Sequence, residues 1–253
     1  MSASRTLDPT AARALDAAAM KRLGIPGIIL MEHAAIGVAR IVESERSRLG
    51  LDRVLVVCGP GGNGGDGWAV ARLLANRRVP VSVLPIASPT AGSDAAVNET
   101  IARRLTAEPE STLGILDLET EAAASAAIAA AASDTLVVDA MFGVGLARPI
   151  AGPAARIIET LTSLDAPIVA IDMPSGLDAA TGRPLGPCVR AIVTATMVAP
   201  KTGMLAPGAS AWTGRIEVVD IGSPPSLLDE FGVVAGSAPV GDDAAPPSSH
   251  GPR

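Results

Sequence analysis

Four short segments of the sequence carry the residue types that hold anions and cations or move protons. Each segment follows an apolar run, and the four are 59–67 (GPGGNGGDG), 139–145 (DAMFGVG), 172–176 (DMPSG) and 199–203 (APKTG). Ligands of an open parallel sheet bind beyond the carboxyl ends of its strands, so loops in this position are candidates for one shared site. The strands must then bring four distant segments to the same edge of a sheet.

The first segment contains a GxGxxG pattern at Gly59, Gly61 and Gly64, where free N–H groups at a helix start would hold a pyrophosphate. A tight turn explains these glycines equally well, because glycine tolerates positive φ. The next strand ends in Leu-Pro-Ile (84–86) without a carboxylate for a ribose hydroxyl, and Asp66 stands where a P-loop needs lysine. Nucleotide binding stays open, but neither standard version fits.

The carboxylates of these segments have two interpretations. Asp139 and Asp172 each end an apolar strand, where an aspartate either caps the next turn or belongs to a site. Asp66 would repel phosphate unless it caps the following helix or lies near a cation. If these carboxylates meet the side-chain oxygens of Asn63 and Ser175, they form an all-oxygen site that suits a hard or monovalent cation and not zinc.

Three further side chains lie in or near these segments and could contribute to the chemistry. Lys201, one of two lysines in the chain, is either a solvated loop residue or a pocket residue that binds phosphate or transfers protons. His33 is predicted to be a packed or partly exposed residue of a helix. Trp68 is predicted to pack beneath the glycine loop rather than stack on a ligand.

The elements that must position these loops alternate along the chain. Asp8 is typical of a helix N-cap, Pro9 of a first helical turn and Gly24 of a helix C-terminus, so a helix is predicted between them. A second helix is predicted from about Pro26 to Arg48. Short apolar strands are then predicted at 53–58, 80–86, 135–139, 167–172, 191–198 and 215–219, with helices at 67–77, 93–105 and 153–164. The expected fold is a Rossmann-like three-layer α/β/α sandwich with a mostly parallel central sheet and an N-terminal helical leader.

Composition excludes several classes of protein. The 253 residues carry 20 Lys and Arg against 26 Asp and Glu, with two Phe, two Trp and no Tyr, which disfavours nucleic-acid binding. Two cysteines and two histidines cannot build a disulfide framework or a His/Cys zinc cluster. The alanine-rich run 122–132 is too short to span a membrane, and no apolar signal segment precedes it. We expect a cytoplasmic protein without a membrane segment.

The domain organisation is predicted from composition as well. Residues 1–222 are expected to form one domain. The segment from Ser223 to Arg253 has six Pro and four Gly in 31 residues with little periodicity, which is typical of disorder. We therefore predict a disordered tail at 223–253.

Taken together, the four loops resemble the NAD(P)H-hydrate epimerase family, the YjeF N-terminal domain. The similar stretches are GPGGNGGDG (59–67), VVDAMFGVGLARP (137–149), IDMPSGLDAATG (171–182) and APKTG (199–203), and residues 14–34 resemble the family's helical leader. The resemblance covers about residues 14–222. It implies an isomerase that interconverts the R and S hydrates of NADH and NADPH (NADHX and NADPHX), so that a dehydratase specific for the S form can restore the cofactors.

The resemblance also implies a set of site residues. A potassium ion would be bound by Asn63, Asp139 and Ser175, in agreement with the all-oxygen site. The residues implied to contact the hydrate are Gly62, Asn63, Gly64, Gly65, Asp66, Gly143, Val144, Gly145, Leu146, Ala147, Arg148, Pro149 and Asp172.

Three departures from the family pattern are visible. Gly62 replaces the first Asn of the family's NN pair, and His33 stands where Asn usually follows Glu32. The tail does not continue into the dehydratase domain of many bacterial relatives, so we expect a monofunctional epimerase whose dehydratase is on a separate chain. A homodimer, as in relatives, stays open.

The implied reaction needs an acid, a base and a pocket for water. The hydrate has a hydroxyl at C6 beside the ring nitrogen, whose lone pair expels it as water once it is protonated. Water adding to the other face of the iminium gives the epimer. Asp139 is predicted to be the proton-transfer carboxylate, with Lys201 as its partner or as a cation that orients the cofactor, and Asp172 could exchange roles with Asp139.

Two alternatives to an epimerase are a hydrate dehydratase and a non-catalytic protein. A hydrate dehydratase would need a kinase-like fold that the predicted strand order does not provide. A non-catalytic scaffold or binding protein with the same fold, such as a messenger-RNA decapping factor, is disfavoured because Asn63, Asp139, Asp172 and Lys201 are all present.

Overall fold

The computed structural model describes residues 5–117, 120–131, 134–164 and 166–235. Its helices are α1 (Pro9–Leu23), α2 (Gly27–Leu49), α3 (Gly62–Asn76), α4 (Asp94–Leu105), α5 (Glu121–Ala131), α6 (Pro153–Ser163), α7 (Ser210–Thr213) and α8 (Pro225–Phe231). Its strands are β1 (Arg5–Thr6), β2 (Arg53–Cys58), β3 (Val81–Pro85), β4 (Leu113–Ile115), β5 (Thr135–Ala140), β6 (Ile168–Ile171), β7 (Val193–Met197), β8 (Arg215–Val219) and β9 (Val233–Val234). A 3₁₀ turn covers Thr202–Leu205.

Seven of these strands form one parallel sheet in the order β4-β3-β2-β5-β6-β7-β8. The chain runs outward from β2 to β4 and then returns to β5, which pairs with β2 on its other side. The order of the strands therefore reverses between β2 and β5, where Cys58 lies beside Ala140 at the last register position. Open α/β sheets bind ligands in the crevice at such a switch point.

Helices cover both faces of the sheet, which explains why the central strands are continuously apolar. Val56 of β2 packs with residues of α2 and α3, whereas its neighbour Leu55 packs with residues of α5 and α6. Successive strand side chains point to opposite faces, so a sheet with two covered faces needs apolar residues at every position. The predicted three-layer α/β/α fold is confirmed.

The N-terminal leader forms as its capping residues predicted. Oδ1 of Asp8 accepts hydrogen bonds from the N–H groups of Thr10 and Ala11, both at 2.7 Å, and Pro9 occupies the first turn of α1. The helix ends at Gly24, whose φ of 68° is the left-handed conformation of a C-terminal stop. Helix α1 is held in place by packing, since Leu15 lies in the same buried cluster as Leu30 of α2 and Ala199 after β7.

The prediction of disorder from Ser223 onward is wrong for its first part. Residues 225–231 form α8, and Val233–Val234 pair antiparallel with β1. Proline is compatible with the first turn of a helix, where its missing N–H costs nothing, and Leu227 is buried in the same cluster as Leu15 of α1. This segment is part of the folded unit, whereas residues 236–253 lie outside the described residues.

Other differences concern elements that periodicity did not find. Helix α3 begins at Gly62 rather than Gly67, so the glycine loop itself forms its first turn. Strand β4 has three residues and α5 consists mostly of alanine, so neither has a clear hydrophobic period. Among the described residues, no helix is both long and apolar enough to cross a membrane.

Candidate functional site

A cavity of about 790 Å³ lies at the carboxyl ends of the strands, beside the switch point between β2 and β5. Its walls come from the loops that follow β2, β5, β6 and β7 and from helices α1 and α2. Its charged lining residues are Asp16, Asp66, Asp94, Arg148, Asp172 and Lys201. Residues from all four segments that the sequence singled out therefore meet in one cavity, or directly beneath it in the case of Asp139 and Ser175.

The glycine loop presents the first turn of α3 to this cavity. Gly61 is the N-cap and contributes no side-chain cap, so the N–H groups at the helix start are open to an anion. A Cβ atom on Gly64 would overlap the carbonyl oxygen of Gly59, which makes glycine necessary at this position. Asp66 is the fifth residue of α3 and does not cap it, contrary to one of its two interpretations.

Asp139 lies beneath the cavity and not on its wall. Its side chain is fully buried, with Oδ1 accepting from the hydroxyl of Ser175 at 2.6 Å and Oδ2 accepting from the N–H of Ser175 at 2.7 Å. The hydroxyl of Ser175 in turn accepts from the N–H of Phe142 at 2.9 Å. Burial raises the pKa of Asp139 to about 6, although the bonds from Ser175 oppose the shift. Asp139 therefore ties the loop after β6 to the loop after β5.

Asn63 brings an unpartnered amide to the same place. Both polar atoms of its side chain are buried, and neither has a hydrogen-bond partner among the described residues. A Cβ atom on Gly143 would lie 3.3 Å from Oδ1 of Asn63 and 2.8 Å from Oδ2 of Asp172, so the loop after β5 passes close to both side chains. A buried amide without partners is costly unless a ligand or ion satisfies it.

The oxygens of Asn63, Asp139 and Ser175 are a donor set that fits a monovalent cation such as K⁺. The unpartnered Oδ1 of Asn63 and the loop contact between Phe142 and Ser175 place the three side chains around one segment, 142–143. In the described part of the chain, no three His, Cys, Asp or Glu side chains form a cluster suited to a metal ion. A potassium site here would thus be built from neutral oxygens around a single carboxylate.

Lys201 and Asp172 form an ion pair on the cavity wall. Nζ of Lys201 lies 2.5 Å from Oδ1 of Asp172, and the two side chains are only 3% and 14% exposed. The same ammonium donates to Oγ1 of Thr196 at 2.8 Å and to the carbonyl of Met197 at 3.1 Å. A lysine ammonium has three N–H donors, and here each has an acceptor. Lys201 is therefore a pocket residue rather than a solvated loop residue.

The backbone at the ends of β6 and β7 is strained in the same way. Asp172 and Val198 have positive φ values of 63° and 66°. Each is the central residue of a turn closed by a short bond, from Met173 N–H to Ile171 O and from Ala199 N–H to Met197 O, both 2.7 Å. Such γ-turns with positive φ are rare and strained, and strain of this kind is concentrated at functional sites. The turn at Asp172 directs its Oδ2 to the N–H of Val144 at 3.0 Å.

Two further carboxyl groups, those of Asp16 and Asp66, lie close enough to this ion pair to interact with its charges. Burial, together with the negative charges of Asp172 and Asp16, raises the pKa of Asp66 well above its usual range, although Lys201 opposes the shift. The shift favours the protonated form of Asp66, which is the form that can give a proton.

Most of the implied substrate contacts line the cavity, namely Gly62, Asn63, Asp66, Gly143, Val144, Gly145, Leu146, Ala147, Arg148 and Asp172. Gly64, Gly65 and Pro149 do not line it, and neither do Asp139 and Ser175. Trp68 is fully buried as predicted, and His33 is exposed beside Gly222. Sequence reasoning did not identify Asp16, Asp94 or Thr196, because isolated polar residues within a helix or strand give no signal.

The parallel sheet with helices on both faces defines a Rossmann-like α/β protein, with a cavity at its switch point. The family model described as YjeF-related protein N-terminus matches residues 27–203. A bifunctional NAD(P)H-hydrate repair enzyme of Moorella thermoacetica is 39% identical over 216 residues, which are 85% of this chain and 40% of that enzyme. An NAD(P)H-hydrate epimerase of Lentilactobacillus buchneri is 37% identical over 212 residues, which are 83% of this chain and 91% of that epimerase.

A solved structure gives the same result for the fold. The crystal structure of the yeast protein ynu0, YNL200c, superposes with a TM-score of 0.72 over 94% of this chain and 97% of that chain, at 22% identity. The chain spans 40% and 44% of the length of two bifunctional relatives that it matches. It belongs to the NAD(P)H-hydrate epimerase family, which is defined by the YjeF-related N-terminal domain.

Proposed function

We propose that this chain is an NAD(P)H-hydrate epimerase, an isomerase that interconverts the R and S epimers of NADHX and NADPHX. The observation that carries the proposal is the cavity at the switch point, where a helix start open to anions faces a fixed carboxylate–lysine pair. Relatives named NAD(P)H-hydrate epimerase match this chain over most of their own length, including one of Rhodopirellula baltica at 36% identity over 86% of its length.

The two ends of the cavity fit the two ends of such a substrate. The N–H groups at the start of α3 suit the pyrophosphate, and Arg148 adds an exposed cation on the opposite loop. Asp172 and Asp66 line the same cavity, and we propose that they serve the damaged nicotinamide ring as proton acceptor and proton donor. Lys201 has its three donors engaged by protein acceptors, so it serves Asp172 and not the substrate phosphates.

The reaction follows from this pair of carboxyl groups. Asp66 gives its proton to the C6 hydroxyl, the C6–O bond breaks, and water leaves as the ring nitrogen lone pair forms an iminium. Water then adds to the other face of C6 and gives a proton to Asp172, and solvent returns that proton to Asp66. No electron is transferred to or from the ring.

We propose that Asp172, rather than Asp139, is the proton-transfer carboxylate. Asp139 is fully buried and does not line the cavity, whereas Asp172 lines it and accepts hydrogen bonds from Lys201 and Val144. We propose that Asp139 acts by positioning Ser175 and the loop after β5.

We further propose that Asn63, Asp139 and Ser175 hold a potassium ion. When bound, the ion would supply positive charge beside the substrate and favour the ionised form of Asp139. The support for this proposal is the unpartnered amide of Asn63 and the all-oxygen donor set.

The partners and location of the protein remain predictions. We propose that a dehydratase on a separate chain consumes the S epimer, and that the protein is cytoplasmic. A homodimer would use exposed apolar side chains, of which Met20, Leu23 and Ile29 lie on the helical leader.

A non-catalytic scaffold is disfavoured by the Lys201–Asp172 pair. Removing both charges from water is unfavourable, and the strained turns beside the pair are unfavourable as well. A protein that only serves as a scaffold needs neither feature.

The test is to incubate the protein with one separated epimer of NADHX or NADPHX and to follow the second epimer by chromatography, with and without potassium. The spontaneous rate without protein and the Asp172→Asn variant serve as controls. We expect rapid equilibration with the wild-type protein and little above the spontaneous rate with the variant. Wild-type protein that leaves the epimer ratio at its spontaneous rate would show that the proposed function is wrong.

A further inference from the structure

Thr196 contributes a buried hydroxyl that the proposed reaction does not use directly. It is fully buried in β7, and its Oγ1 accepts a hydrogen bond from Nζ of Lys201 at 2.8 Å. A hydroxyl in such a position costs free energy unless its hydrogen bond matters to the protein. The residue does not line the cavity and cannot touch a ligand there.

The surroundings of Lys201 show what this hydroxyl does. The ammonium is 3% exposed and faces Asp172 after β6, Asp66 on α3 and Asp16 on α1. Its other two acceptors are the Asp172 carboxylate and the carbonyl of Met197, which the strained turn at Val198 turns back toward it. Without Thr196, one N–H of a buried cation would have no acceptor.

We propose that Thr196 is a positioning residue of the epimerase. Its hydroxyl completes the acceptors of Lys201, which fixes the ammonium in place, and the fixed lysine holds the Asp172 carboxylate in one orientation toward the cavity. Only the consequence for turnover rests on the proposed function. The consequence for Lys201 itself rests on the hydrogen bond alone.

The chain offers a matched control on the same strand. Thr194 lies two residues earlier, points to the same face of the sheet, is fully buried, and donates its hydroxyl to the carbonyl of Thr213 at 2.7 Å. Replacing either threonine by valine keeps its shape and removes one buried hydrogen bond. Only Thr196→Val removes a bond to Lys201, and Thr196→Ser restores it.

The first measurement does not depend on epimerase activity. The chain has two lysines, so ¹⁵N-lysine labelling gives two side-chain NMR signals, with exposed Lys21 as internal reference. We expect Thr196→Val to speed the exchange of the Lys201 ammonium protons with water about tenfold or more, since one of the hydrogen bonds that hold the ammonium is lost. Thr194→Val and Thr196→Ser should leave this exchange rate near that of the wild type.

The second measurement is the rate of epimer equilibration. Thr196→Val should lower kcat about 10- to 100-fold with little change in KM, because a displaced carboxylate affects the reaction more than binding. Thr196→Ser should recover most of the rate, and Thr194→Val should keep the wild-type rate.

The inference would be overturned if the two valine variants changed the exchange rate of the Lys201 ammonium protons equally, or if neither changed it. A kcat that falls equally in both valine variants would also overturn it, since the loss would then follow general stability. If wild-type protein does not equilibrate the epimers, the proposed function is wrong, and the NMR result still decides whether Thr196 holds Lys201.

Discussion

Two buried ions lie at opposite ends of the parallel sheet, and their partners differ. Lys201 at the carboxyl end and Glu45 near the amino end of β8 have side chains that are each 3% exposed. The partners of Glu45 are Arg48 and Arg215, whose side chains are 56% and 53% exposed. The charged partner of Lys201 is Asp172, which is 14% exposed.

This difference indicates that the ion pairs of Glu45 stabilise the fold, whereas the Lys201–Asp172 pair serves the chemistry of the cavity. Arg48 and Arg215 keep most of their hydration while they neutralise Glu45, so little desolvation opposes the pairing. Lys201 and Asp172 are both withdrawn from water, which costs more, and the benefit is a carboxylate with a fixed orientation in a cavity. The strained residues Asp172 and Val198 also lie at the carboxyl end. The four predictions below test this division, beginning with the largest expected effect.

Removing the Asp172 charge should stop the reaction and destabilise the protein. Asp172→Asn leaves the buried ammonium of Lys201 without its counter-ion, so we expect turnover to fall by about 10³-fold or more and stability by about 3 kcal/mol. The double variant Asp172→Asn with Lys201→Met contains no unpaired ion and should recover much of the stability but none of the turnover. Urea unfolding and epimer equilibration measure the two effects. A double variant that is no more stable than Asp172→Asn would contradict this account of the pair.

Potassium should stabilise the wild-type protein through Asn63. At a hundredfold excess over Kd, a ligand that binds only the folded state adds about 2.7 kcal/mol. We expect the thermal midpoint to rise with potassium chloride and not with tetramethylammonium chloride at equal ionic strength. Asn63→Ala should abolish the difference between the two salts. An equal potassium effect in that variant would place the ion elsewhere.

Neutralising Glu45 should affect stability alone. Charge-assisted bonds to Arg48 and Arg215 lower the pKa of Glu45 in the folded state, and Glu45→Gln should cost about 2 kcal/mol at neutral pH with unchanged turnover. A lowered folded-state pKa means that the stabilisation is complete above the ordinary value of 4.5 and is lost as the pH falls through the lowered value. The stability difference between wild type and variant should therefore shrink on acidification below pH 4.5, as urea unfolding at several pH values will show. A difference that grows on acidification would contradict the assignment.

The smallest effect is expected at the cap of α1. Asp8→Ala removes the acceptor of two N–H groups and should cost about 1 kcal/mol, whereas Asp8→Asn should be nearly neutral. Because α1 forms part of the cavity wall, KM should rise slightly in the alanine variant. Thermal unfolding of the three proteins tests the cap, and equal midpoints for the alanine and wild-type proteins would show that it contributes nothing.

Local patterns were sufficient to predict most of the fold. The caps of α1 and the continuous apolar runs of the central strands are local signals, since neighbouring residues in the chain determine them. The region after Ser223 was mispredicted because its order depends on α8 packing against α1 and on β9 pairing with β1, contacts between residues more than 200 positions apart.

For the site, the sequence alone determined which residue types the loops bring and at which edge of the sheet they lie. A parallel sheet places every βα loop at the same edge, so the motifs after four strands belong there. Only the tertiary structure decided the roles within that edge. Asp139 and Asp172 look alike in sequence, yet one is enclosed by Ser175 and the other opens into the cavity. The burial of Asp139 and the pairing of Asp172 with Lys201 depend on contacts between different strands, which no local pattern encodes. The bond between Lys201 and Thr196 spans only five residues, but it forms across the turn at Val198 and gives no signal in the sequence.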